Sequence, residues 1–320
     1  MISNVPTAEE LREVAIRTYF VAWKEATKLF DGVNLLGCFH VKPRNGKLVP
    51  TVGEHYEDFT KKESENNFAK FESALQPEVH AVMSLIQHSQ ELALKTFICE
   101  KSPYLLLLGS DIRQWAKDKA DFTDFKTIDA SDLLRVVSAI CEKNLSDNFK
   151  QTIEKVRRGR NSFQHLGKQK ERIEIIEPIK ILAQQYIELF PVRNWLDDFN
   201  ESQQSGLDDL FVNSDFTSRT AVLSNISEIS FFVPEQTWRR LLGFQRKSRL
   251  LECWECFREA KFDNNHYSAN TVELLPGSME AYCFLCKQKF KLKKLKCEDC
   301  AFDLAHDWEG DVEVCFRCGD

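Results

Sequence analysis

Apolar residues recur at intervals of three and four through most of the chain up to Phe190, which predicts a succession of amphipathic helices. Thr7-Ala8-Glu9-Glu10 has the reciprocal capping pattern, with threonine at the cap and glutamate three residues on. The helix it opens carries Leu11, Val14, Ala15, Tyr19, Ala22, Trp23, Ala26 and Leu29 on a wide apolar stripe, and Asp31-Gly32 is its expected end. Leu35 to Val41 and Lys47 to Val52 read as strands joined at Asn45-Gly46, a hairpin signal. Pro43 and Pro50 confine them to short or edge strands. From Glu54 to Glu72 the chain is charged and ambiguous, a lid or a connecting helix.

Pro77 opens a helix to about Glu100, with Val82, Leu85, Ile86, Leu92, Phe97 and Ile98 inward. Pro103 breaks it, and Tyr104 to Trp115 predicts a second, strongly apolar helix. Asp121 to Thr127 reads as loop. Ser131 is the expected cap of a helix that turns Leu134, Val137, Ile140 and Cys141 inward. Another pattern runs from Asn148 to Leu166, and Ile179, Leu182, Tyr186 and Leu189 mark a last helix starting near Pro178. Asp197 to Ser205 is polar and breaker-rich, the natural place for a domain boundary. Beyond it Glu228 to Val233 suits a strand and Thr237 to Arg249 a helix. The expected organisation is a helix-plus-hairpin extension over 1–76, a helical bundle over 77–196, a linker over 197–236 and a cysteine-rich domain over 237–320. The class is mainly α.

Composition narrows the function. Hydrophobic residues make up 43% and charged residues 29% of the 320, the balance of a soluble globular protein. The net charge of −6 argues against a whole-surface nucleic-acid binder, so any RNA contact must come from local basic patches. Met1 to Glu10 lacks the basic start and apolar core of a signal peptide, and the densest apolar run, Tyr104 to Gly109, is far too short to span a bilayer. A soluble cytoplasmic protein with no membrane partner is the expectation.

Eight of the eleven cysteines form four Cys-x-x-Cys pairs: Cys253/Cys256, Cys283/Cys286, Cys297/Cys300 and Cys315/Cys318. Each pair places two thiolates on one side of a tight knuckle, and two knuckles complete a tetrahedral Cys₄ site. Four pairs predict two structural zinc ions. Sequential pairing is the preferred reading and makes 237–320 a double Cys₄ zinc-ribbon domain of short β-hairpins; interleaved pairing would make a cross-brace. With all four ligands from cysteine, neither ion keeps an open position for catalysis. His266 and His306 lie between knuckles, as loop residues or substitute ligands, while Cys38, Cys99 and Cys141 suit plain core. Between the expected sites, Lys287 to Lys296 alternates lysine with Phe290 and Leu292, a strand with one basic face. That face suits a phosphate track or a solvated flank. Arg239, Arg240, Arg246, Lys247 and Arg249 form a second basic cluster.

The helix from Asn148 to Leu166 carries the sharpest chemistry. On a wheel Phe149, Ile153, Val156 and Phe163 share one apolar face, and Arg160 falls in its middle. A guanidinium keeps its charge, so Arg160 pairs with an acid, faces an interface or serves a site. Asn161 and His165 follow at i and i+4. An isolated histidine also suits a surface or satisfied core position, and arginines at a helix end complement its dipole.

Arg160-Asn161-x-x-x-His165 resembles the Arg–polar–x–x–x–His motif of the HEPN superfamily of small helical ribonuclease domains. The order of helices from about Pro77 to Phe190 resembles that arrangement too, as does Glu91-Leu92-Ala93-Leu94-Lys95, more faintly. Arg158 also has a spacing the family tolerates, but Arg160 is preferred because Asn161 follows it. The resemblance implies a homodimer that cleaves RNA without metal at a composite site. Arg160 and His165 would be catalytic there, with Asn161 the polar companion. It also implies a toxin or an anti-phage effector, with an antitoxin or sensor as further partner. Two rivals stay open: an inactive adaptor that binds RNA or protein through the zinc ribbons, and a zinc-dependent DNA-binding regulator.

Overall fold

The computed structural model describes residues 2–35, 40–44, 47–51, 61–107, 120–166, 172–204, 222–227, 230, 232–244, 250–256, 270–275, 277–294, 296–299, 305–308 and 312–315. The structure is mainly helical, with antiparallel strands concentrated in the C-terminal part. The chain divides into two compact units, Met1–Pro191 and Val192–Asp320.

In the first unit α1 (Ala8–Leu35) starts at the reciprocal cap read from the sequence. The Thr7 amide donates to Glu10 Oε2 at 2.8 Å, and the Glu10 amide donates to Thr7 Oγ1 at 3.2 Å. The Thr7 amide, then its hydroxyl, holds the Glu10 carboxyl below its ordinary range. A depressed folded-state pKa gives a contribution that is present above the unfolded value and fades as pH falls through the folded one. Thr7→Ala removes the hydroxyl that accepts from the Glu10 amide, and loss of this cap should lower stability by about 1 kcal/mol at neutral pH. The loss should shrink in acid, as read from urea midpoints at both pH values.

Ala15, Tyr19, Ala22, Trp23 and Ala26 of α1 are wholly buried, whereas Val14, expected inward, is exposed and Phe20 is buried. The helix continues past Asp31-Gly32 to Leu35, because one glycine near a helix end lowers helix propensity without forbidding it. α1 lies along α3 (Gln76–Lys101), which also packs against α4 (Ala130–Ile140), α5 (Asp147–Leu166) and α6 (Glu177–Leu189). The apolar stripe of α1 is buried within this unit. Buried polar groups stitch three of these helices together. Ser89 Oγ donates to the Ala15 carbonyl at 2.9 Å, and Gln185 Nε2 donates to Ser89 Oγ at 2.9 Å. Tyr19 Oη donates to the Leu182 carbonyl at 3.2 Å.

The strands β2 (His40–Arg44) and β3 (Lys47–Thr51) form the expected hairpin, with Arg44 opposite Lys47, and the ambiguous stretch ends in α2 (Lys61–Ala74). Of the helix expected over Tyr104 to Trp115, Pro103–Leu107 is a 3₁₀ turn and residues 108–119 lie outside the described residues. β4 (Ala120–Asp121) pairs parallel with β1 (Ile2–Ser3) where only loop was expected. Asp129, not Ser131, precedes α4, and Leu133 rather than Leu134 joins Val137 inside. In α6 Ile179, Leu182, Tyr186 and Leu189 are all buried, with Pro178 in its first turn.

In the second unit the polar stretch read as a boundary is largely helical: α7 spans Trp195–Gln204. Trp195, Leu196 and Phe199 are buried, Trp195 stacks on Phe199 with centroids 4.7 Å apart, and Arg193 forks onto Asp198 through two 2.7 Å bonds. Ser230, Phe232 and Val233 lie in turns and a bend rather than the expected strand. α8 (Glu235–Leu241) is shorter than the helix predicted there, closed by Gly243 at φ +79°.

Six strands then lie side by side in chain order, every pair antiparallel: β5 (Leu250–Glu252), β6 (Asn270–Leu274), β7 (Glu280–Cys283), β8 (Lys289–Lys293), β9 (Ala305–Trp308) and β10 (Val312–Cys315). The separate hairpins expected of two ribbons are joined in one sheet. In β8 Phe290 and Leu292 are buried and Lys289, Lys291 and Lys293 exposed, the alternation read from the sequence.

Candidate functional site

α5 is built as its wheel predicts. Phe149, Ile153 and Val156 are buried on its inner face, and the helix then emerges at Arg160, Asn161 and Phe163, all half-buried. The cations before Arg160 have glutamate partners: Arg157 pairs with Glu154 at 2.7 Å, Arg158 lies 3.8 Å from the same carboxylate, and Lys155 reaches Glu177 at 3.1 Å. Arg160 differs. Among the described residues it makes no ion pair, and its Nη1 donates to Asn161 Oδ1 at 3.3 Å. His165 lies in the last turn of α5, and its side chain is outside the described residues.

Arg160 stands between two hollows of about 670 Å³ each. Met83, Leu134 and Ile173 give the first an apolar lining, beside Glu154, Arg158 and Gly159. The second is polar and runs along α3 past Ser84, Gln87, His88 and Glu91. His80 and Arg160 line both. His80 is 5% exposed and stacks on Phe163, with ring centroids 4.0 Å apart and planes 8° from parallel. Both ring nitrogens are buried without a hydrogen-bond partner among the described residues. Burial pushes the imidazole below its ordinary range, so the ring is neutral at pH 7. The sequence reading passed over His80. The polar stripe of His80, Ser84, Gln87 and Glu91, at helical spacing on α3, was the available signal.

In the C-terminal unit Cys253, Cys256, Cys283 and Cys286 come together, with every sulfur within 4.8 Å of the others. Cys253 and Cys256 follow β5, and Cys283 and Cys286 flank the turn between β7 and β8. The first two pairs thus combine sequentially. Zn–S bonds of ~2.3 Å imply tetrahedron edges of about 3.8 Å. The Cys253–Cys286 and Cys256–Cys283 separations are 3.7 and 3.8 Å. The Cys286 amide donates to Cys283 Sγ at 3.4 Å, as a knuckle thiolate requires. Hydrogen bonding to Cys253, then to Cys283 and Cys286, and burial push the Cys256 thiol far above its ordinary range. Ionising such a packed set needs a compensating cation. The donors fit a structural zinc ion.

Of the second expected set, Cys297 is half-buried and Cys315 buried on β10, while Cys300 and Cys318 lie outside the described residues. His306 is on β9, opposite Leu292 and Val314 in register, and His266 is outside the described residues. The Cys99 thiol donates to the Pro6 carbonyl and the Cys141 thiol to the Phe97 carbonyl, both as packing residues, and Cys38 is outside the described residues. In the second basic cluster Arg239 pairs with Glu235 at 2.9 Å, whereas Arg246, Lys247 and Arg249 are outside the described residues. No described helix is long and apolar enough to cross a membrane. No family model, curated protein or solved structure matches the chain.

Proposed function

We propose that the helical unit is a metal-independent endoribonuclease of the HEPN type, acting as a homodimer, with zinc confined to a structural role in the C-terminal unit. The observation that carries this reading is Arg160: a half-buried guanidinium between two hollows, beside Asn161, with no carboxylate paired to it among the described residues. Such a cation is available to a phosphate, and a bidentate fork suits a phosphorane whose charge grows in the transition state. His165 takes the proton of the substrate's 2′-hydroxyl, whose oxygen forms the new bond to phosphorus. The P–O5′ bond breaks, and His165 of the second copy returns a proton to the leaving oxygen. The products are a 2′,3′-cyclic phosphate and a free 5′-hydroxyl. The second set, Cys297, Cys300, Cys315 and Cys318, would hold a second zinc ion. The biology that fits is a toxin or an anti-phage effector, held in check by an antitoxin or sensor.

The test is RNA cleavage in EDTA during a short assay. The parent should release cyclic phosphate, and Arg160→Ala and His165→Ala should each lower the rate by about 10²-fold or more with the dimer intact. Asn161→Ala should cost less. A parent that does not cut, or His165→Ala with full activity, removes this reading. The lysine face of β8 favours a second reading, an adaptor that binds RNA without cutting it. Binding that weakens when Lys289, Lys291 and Lys293 are reversed to glutamate, without cleavage by the parent, would establish that one.

A further inference from the structure

His80 is an anomaly that the ribonuclease reading does not use. A neutral imidazole has one donor and one acceptor, and burying both without partners opposes folding. Native proteins leave few buried polar atoms unmet, and those few call for an explanation. Among the described residues neither nitrogen of His80 has a partner, although the ring lines both hollows that Arg160 lines. Hydrophobic core would be cheaply served by phenylalanine here, since the ring already stacks face to face on Phe163. Two hydrogen-bonding atoms sealed at the shared wall of two hollows have the chemistry of a binding site.

We propose that the groove between α3 and α5 binds a ribonucleotide, with its phosphate between Arg160 and His80 and its base in the hollow of Met83, Leu134 and Ile173. The choice of ribonucleotide over another phosphate ester rests on the ribonuclease reading. The parts match in kind. Arg160 supplies charge to the phosphate, and the His80 N–H donates to a phosphate oxygen. The other ring nitrogen accepts from a sugar hydroxyl. Each hollow, at about 670 Å³, lies within the size range of small-ligand sites. Ser84, His88 and Glu91 offer the second hollow donors and acceptors for the rest of the sugar or the next nucleotide. The His80 nitrogens lie at the edge of the stacked ring and are buried, so a ligand reaches them only if the ring or the residues covering that edge move.

The full chain should be titrated calorimetrically with a ribonucleoside 3′-phosphate, with inorganic phosphate alone as a parallel arm. The parent should bind the nucleotide at least tenfold more tightly than inorganic phosphate. His80→Phe keeps a flat ring against Phe163 and removes both nitrogens; nucleotide affinity should fall at least tenfold while the thermal midpoint holds or rises. In proton spectra of the parent, the His80 ring signals, shielded by Phe163, should move downfield as nucleotide is added, a readout that needs no variant to fold. Absence of nucleotide binding, equal affinity for phosphate alone, unchanged affinity in His80→Phe or a stationary His80 signal would each overturn the proposal. The two readings separate cleanly. Nucleotide held through His80 by a chain that cuts no RNA keeps this inference and removes the ribonuclease. RNA cleavage with undiminished nucleotide binding in His80→Phe does the reverse.

Discussion

Cys256→Ser should strip the metal from the Cys253, Cys256, Cys283 and Cys286 cluster and unfold the sheet around it. Serine offers a neutral hydroxyl where zinc needs a thiolate, and three thiolates with a weak fourth ligand no longer close the site. The cluster ties the end of β5 to the turn between β7 and β8. Binding energy at a structural zinc site is folding energy, on the order of 10 kcal/mol in small zinc modules. Elemental analysis should show the variant with one zinc ion fewer per chain than the parent. Amide exchange across β5, β6 and β7 should accelerate, while α1, α3 and α6 stay protected. Zinc content unchanged by Cys256→Ser would refute the assignment of these four sulfurs.

Trp23→Ala should be the most damaging single change in the helical unit, by about 3–5 kcal/mol. Trp23 is fully buried, with Tyr19 beside it at a centroid distance of 6.0 Å. Truncation leaves a cavity that α1 cannot close without losing its packing on α3. The result separates two views of the N-terminus. If residues 1–76 were an appendage, the substitution would leave the unfolding of the bundle nearly unchanged. If α1 belongs to the core, the urea midpoint of the whole unit should fall with its slope preserved.

What was legible in the sequence was what neighbouring residues decide. The Thr7–Glu10 cap, the strand alternation of Lys289 to Lys293 and the pairing of adjacent knuckles rest on residues close along the chain, and the structure shows each of them. α7 was misread because asparagine, serine and glutamine outweighed the apolar spacing of Trp195, Leu196 and Phe199, which packing in the C-terminal unit rewards. The polar stripe on α3 includes His80 without singling it out. Its significance depends on Phe163 and Arg160, which the fold brings from far along the chain. Arg160 was conspicuous beforehand for the opposite reason, a charge on an apolar stripe, although only the structure reveals the hollows beside it.

The order of strands in the C-terminal sheet has a kinetic consequence. Each strand from β5 to β10 pairs with its chain neighbour, so no pairing waits for a distant segment and contact order within the sheet is low. The cluster is complete in sequence at Cys286, before β8, β9 and β10 begin. A zinc ion held by these four sulfurs would therefore seat on the first three strands as they leave the ribosome, and the remaining strands would zip onto an edge already anchored. Zinc starvation would then act on the nascent chain more severely than chelation acts on the finished protein.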